Sequence, residues 1–103
     1  MKFGDGGHDP LDQTSMVAVD VTDDDLYGNI HISKAVTVSW PALRKVTFEA
    51  TVETTEGNGT GFLEYSEAGL YYNSGTAMFS HKAFGYIVKN DTIRLVATWT
   101  FTF

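Results

Sequence analysis

The chain has 103 residues, no cysteine, 43% apolar and 14% aromatic residues, and a formal net charge of −6. That length fits one domain around one hydrophobic core, and the apolar content excludes a disordered chain. The acid excess argues against a nucleic-acid surface and membrane adhesion, and without cysteine there is no disulfide, thiolate nucleophile or cysteine-bound zinc. No apolar run approaches the ~20 residues of a membrane helix, so no membrane insertion is expected.

Residues 1–15 are rich in glycine and aspartate. They read as a flexible arm outside the core, with the β domain over 16–103. Met16 to Val21 alternates only briefly and reads as a weak strand or ordered arm. Thr22 followed by Asp23, Asp24 and Asp25 has the pattern of a helix N-cap with acids in the first turn, closed by Gly28. Asn29 to Val38 predicts one or two strands, interrupted at Pro41, which cannot donate to a ladder. Lys45 to Glu53 alternates cleanly, with Val46, Phe48, Ala50 and Val52 on the inward parity.

A glycine- and asparagine-rich turn spans 54–61. Two short strands follow, Phe62–Tyr65 and Ala68–Tyr72, separated by the polar pair Ser66 and Glu67. Asn73-Ser74-Gly75 predicts a tight turn into Ala77–Lys82. Phe84–Val88 continues extended, with Gly85 placed for a bulge, and Lys89-Asn90-Asp91 reads as the last turn. The final stretch, Thr92 to Phe103, alternates over about six repeats, with Ile93, Leu95, Ala97, Trp99, Phe101 and Phe103 on one parity. Its five large apolar side chains, at roughly 1.5–3 kcal/mol each when buried, make it the strand on which the others must pack. Seven or eight strands and almost no helix predict an antiparallel β-sandwich or jelly-roll-like barrel.

Candidate chemistry is sparse. Asp5, His8, Asp9 and Asp12 are weak metal candidates by residue type, but their spacing matches neither an EF-hand nor a zinc-protease motif. His81 reads as a surface or interface histidine. Glu49, Glu53, Glu64 and Glu67 read as outward charges that discourage edge aggregation. No serine sits in a nucleophile-elbow context. No cofactor and no catalytic residue is expected. Among the aromatics, Tyr65, Tyr71, Tyr72, Tyr86 and Trp40 are candidates for a subunit interface or a sugar-stacking face.

One resemblance covers most of the chain. Glu67-Ala68-Gly69-Leu70-Tyr71, then Asn73-Ser74-Gly75-Thr76-Ala77-Met78-Phe79-Ser80, then Phe84, Ile87-Val88-Lys89-Asn90-Asp91, Arg94-Leu95 and Thr98-Trp99-Thr100-Phe101 resemble a recurring β module of tailed-bacteriophage virion proteins. Val46-Thr47-Phe48-Glu49-Ala50-Thr51-Val52 is similar to its upstream strand, and Gly4 to Asp12 to its glycine-rich opening. Members are tail-fibre, tail-collar and other small virion proteins. The resemblance implies a structural role without catalysis, in a virion assembled from parts made in the host cytoplasm, with the tail favoured over the head. It implies other virion proteins as partners and homo-oligomers, with trimers expected from the habit of such fibres. The alternatives are a capsid decoration protein and a carbohydrate-binding module for a host-surface glycan.

Overall fold

The computed structural model describes residues 1–9, 11–19, 23–72 and 77–103. Among them there is no helix. Nine strands run in order: β1 Lys2–Gly4, β2 His8–Asp9, β3 Asp12–Met16, β4 Ile30–Ser33, β5 Thr37–Ala42, β6 Lys45–Val52, β7 Leu63–Tyr72, β8 Ala77–Lys89 and β9 Leu95–Thr102. Every pairing is antiparallel. The strands form a four-stranded sheet in the order β4-β1-β7-β8, a three-stranded sheet β5-β6-β9 and the hairpin β2-β3. One core draws on both larger sheets, with Phe3, Tyr65, Ala68 and Leu70 from the first and Ala50, Val52 and Trp99 from the second. This is an all-β, sandwich-like fold.

The β6–β9 pair follows directly from alternation. Val46, Phe48, Ala50 and Val52 stand opposite Phe101, Trp99, Ala97 and Leu95, and Thr47, Glu49 and Thr51 stand opposite Thr100, Thr98 and Val96. Period-2 geometry puts the first set on the core side and the second outside. Trp99 is buried, and its indole Nε1 donates to Ser80 Oγ at 3.1 Å, which ties this sheet to β8. The strand begins at Leu95 and ends at Thr102, shorter than the alternation alone suggests. Asn90 caps the preceding turn, accepting from Thr92 N at 2.9 Å. Phe103 lies past the strand and is exposed, not in the core.

Four expectations need correction. Residues 1–15 are not a flexible arm: β1 lies between β4 and β7, and Phe3 is 1% exposed. Glycine counting misses this because a three-residue strand with neighbours on both sides needs only one apolar anchor. The terminal ammonium donates to Lys34 O at 2.7 Å, and burial lowers its pKa. Ser66 and Glu67 do not separate two strands: β7 is continuous from Leu63 to Tyr72. Lys89 is not a turn residue but the buried last residue of β8. Residues 23–29 form no helical turn; they cross the sheet as a strap. The expected cap Thr22, the end of the weak strand at Asp20 and Val21, and the turn Asn73-Ser74-Gly75 lie outside the described residues.

The bulge at Gly85 falls where the sequence placed it, whereas β5 runs on through the break expected at Pro41. Between β7 and β8 the register passes from Tyr65↔Ile87 to Glu67↔Ala83, so three residues centred on Gly85 bulge opposite Ser66. Pro41 sits at the end of edge strand β5, beside a register shift between Ser39 and Ala42.

If Trp99 holds the two sheets together, Trp99→Ala should lose about 3–5 kcal/mol in urea unfolding. Near-normal stability of that variant would show that the core lies elsewhere.

Candidate functional site

The chain's polar centre lies at the middle of β7. Glu67 has no exposed surface. A bare carboxylate there would be strongly destabilising. Instead each oxygen has two partners. Oε2 accepts from Gly6 N at 2.5 Å and Gly28 N at 2.8 Å. Oε1 accepts from Tyr27 N at 2.8 Å and lies 2.8 Å from His81 Nε2. The other ring nitrogen, His81 Nδ1, lies 2.9 Å from Asp23 Oδ2. The two ring nitrogens of His81 thus link the two acids.

Ser66, equally buried, fastens the next stretch of chain. Its Oγ accepts from Gly7 N at 2.8 Å and lies 2.7 Å from His8 Nδ1. The strap 23–29 and residues 5–8 are therefore pinned to the face of β7 opposite Ala68 and Leu70. Leu26, buried, packs over Gly4 and Gly69. Gly6 and Gly28 approach so closely that a Cβ on either would strike the other's backbone.

A second polar link flanks the first. Tyr71 Oη donates to Asp25 Oδ1 at 2.5 Å and accepts from Leu26 N at 3.3 Å, while Lys2 Nζ lies 4.3 Å above the Tyr71 ring. The hydrogen bond from Tyr71 holds the Asp25 carboxyl below its ordinary range. Burial first, and the Asp25 hydrogen bond second, push the Tyr71 phenol up. At the other end of the sheet, buried Lys89 donates to Glu56 O at 2.6 Å and Asn58 Oδ1 at 2.7 Å, and desolvation lowers its pKa. Tyr65 Oη donates to Gly57 O at 2.7 Å, so this loop too is strapped down.

The acid–imidazole–acid cluster does not have the access that catalysis needs. The His81 side chain is 2% exposed and Glu67 has none, so the cluster's partners are the protein's own backbone. Sequence reasoning assigned Glu67 to the outward charges and His81 to the surface; both belong to this buried cluster. The usable signals were two adjacent polar residues inside an apolar run and the glycines at 4, 6, 7 and 28.

The weak metal candidates are not drawn together. Asp5 accepts from Asn29 N at 2.7 Å and faces His31 Nε2 at 3.4 Å. His8 turns to Ser66, Asp9 accepts from Leu11 N, and Asp12 accepts from Ser15 Oγ. Among the described residues no three His, Asp or Glu side chains are arranged for a metal ion. Of the aromatic candidates, Tyr65 is fully buried core and cannot meet a partner. Tyr71 is held by Asp25, and Tyr86 packs edge-on against His8 at 4.9 Å. Tyr72 and Trp40 are exposed.

Among the described residues two surfaces stand out beside an open cleft of about 500 Å³ at Asp5, His8, Val17 and Tyr27. An apolar cleft of about 480 Å³ opens between β8 and β9, lined by Phe3, Phe84, Ile87, Leu95 and Trp99, with Lys82 its one ionisable side chain. The second is the aromatic end of the sandwich, where Phe79 meets Phe48, Phe101 and Tyr72, and Trp40 meets Phe103.

Glu67→Gln should lower stability by about 3 kcal/mol, because one amide oxygen replaces two acceptors and its NH₂ faces an N–H. Hydrogen exchange at Gly6, Tyr27 and Gly28 should rise in the same variant; unchanged protection would mean that Glu67 does not hold the strap. The raised Tyr71 pKa sets a second expectation. The folded chain keeps that proton above pH ~10, where the unfolded chain releases it, so the contribution is complete below pH ~10 and is lost as pH rises further. Tyr71→Phe should flatten this alkaline decline in Tm; an identical decline would exclude Tyr71 as its source.

Comparison of the chain with protein-family models, with curated proteins and with solved structures finds no match.

Proposed function

We propose that this chain is a structural assembly protein of a tailed-bacteriophage virion, placed in the tail as a fibre, collar or baseplate-associated module, and not an enzyme. The observation that carries the assembly reading is the aromatic end: Trp40, Tyr72, Phe79 and Phe103 are open to solvent and in ring contact as the pairs Trp40–Phe103 and Tyr72–Phe79, while Leu11, Met16, Phe62 and Val96 are exposed elsewhere. Exposed apolar faces of this kind mark contact surfaces. The acid–imidazole pair Glu67 and His81 is closed to solvent, and Glu67 is taken up by the chain's own backbone. The phage context comes from the motif resemblance over residues 45–103. The mechanism is packing: exposed aromatics and edge strands seat against neighbouring subunits, and the polar straps keep the module rigid while they do so.

Mass spectrometry of purified particles tests the reading. The chain is expected in intact virions and in isolated tails. Recovery with heads alone would transfer the same packing role to capsid decoration. Absence from particles, together with saturable binding to a host polysaccharide, would replace assembly by carbohydrate recognition through Trp40 and Tyr72.

A further inference from the structure

The three-stranded sheet reaches beyond the cover that the four-stranded sheet gives it. Strand β5 is exposed along its whole length, and its substantial contacts are with β6 alone. Trp40 is 63% exposed, Phe103 68%, Leu43 90%, Tyr72 55%, Val38 49% and Phe79 48%. The rings and Val38 form two contacting groups, with Leu43 apart at the turn. Trp40 lies edge-on to Phe103 at 6.1 Å, Phe79 bridges Tyr72 to Phe48 and Phe101, and Val38 is the cross-strand partner of Phe48. At roughly 150–250 Å² for an aromatic side chain, the exposures of Trp40, Tyr72, Phe79 and Phe103 amount to on the order of 500 Å². That lies at the upper end of the largest patches on monomers and is more than half of the ~800 Å² that each partner contributes to a standard interface.

We propose that the occupant of this face is a second copy of the same chain, packed about a two-fold axis beside β5. The proposal rests on the assembly reading and names its first contact. The area suits a small self-contact whose population depends on concentration. The face also offers no charge pattern by which a different protein would be selected: Lys45 and Glu49 lie on the outer parity of β6, and Arg44 sits in the turn at the rim. Two-fold contact sets the same aromatic patch against itself, and rings favour the edge-to-face pairs already present within one copy. Side chains rather than ladder hydrogen bonds make the contact, because Pro41 has no N–H and the β5 register breaks beside it. The same face carries Arg44 in the left-handed region, at φ 65°, which holds Leu43 out at the tip of the turn.

Light scattering across a micromolar-to-millimolar series reads the mass directly. The full chain is expected as a dimer. Trp40→Glu and Phe103→Ser are each expected to raise the dimer Kd by at least about tenfold, with unchanged circular dichroism, because both residues are exposed. Thr98→Glu, on the opposite face of the sheet, should leave the dimer intact. Tryptophan emission should shift to the blue with concentration in the native chain and in Thr98→Glu but not in Trp40→Glu, since Trp99 is already buried. A monomer at every concentration, a trimer, or a dimer indifferent to Trp40 would each overturn the proposal. None of these results alters whether the chain is found in particles, so the self-contact and the virion role fail separately.

Discussion

The buried carboxylate of Glu67 is the constraint on which the rest of this structure depends. A carboxylate with no solvent contact is tolerated only when its lone pairs are filled, and here four N–H groups or ring nitrogens surround it. Three of the four come from loops that have no ladder of their own at those points, Gly6, Tyr27 and Gly28. The carboxylate thus replaces strand pairing for the backbone that crosses the sheet. It also explains the local chemistry around it: glycine where chains approach closely, Leu26 as the apolar lid, and His81 carrying the contact on to Asp23.

The same logic recurs at the opposite end with the charges reversed. Lys89 is a buried ammonium that holds loop 53–61 through a backbone carbonyl and an asparagine oxygen. With no cysteine available, buried ions hydrogen-bonded to the crossing loops serve where a small domain might use a disulfide. Such groups are poor at adding net stability but strict about geometry, because any arrangement that leaves one acceptor unfilled is disfavoured by several kcal/mol. The strap covers the middle of the four-stranded sheet, while Ile30, Tyr72, Phe79 and Val88 of that sheet stay exposed. The three-stranded sheet has no such cover beyond its core, and its apolar parity runs out into solvent at Trp40 and Phe103.

Much of the β architecture was legible because alternation is a local property. Phe48 with Trp99 and Ala50 with Ala97 meet on the core side because each strand carries its apolar residues at a spacing of two, and no other pairing hides both sets. Gly85 and Pro41 marked irregularities for equally local reasons, one lacking a side chain and the other an N–H. The site was far less legible. Glu67 and His81 have the composition of surface residues, and what makes them interior is the arrival of Gly6, Tyr27 and Gly28 from 39 to 61 positions away. Phe3 is a parallel case, since its burial depends on strands β4 and β7 that form on either side of it.

The sequence by itself determined the all-β class, the inward parity of β6 and β9, the loop over 54–61 and the bulge at Gly85, since each follows from the side-chain and backbone chemistry of neighbouring residues. Only the tertiary structure decided which polar groups are buried, that residues 1–4 are an inner strand, and which aromatics remain exposed. Those outcomes depend on which distant segments supply hydrogen-bond donors and cover, and burial of a charge is a property of the whole shell around it rather than of the residue that carries it.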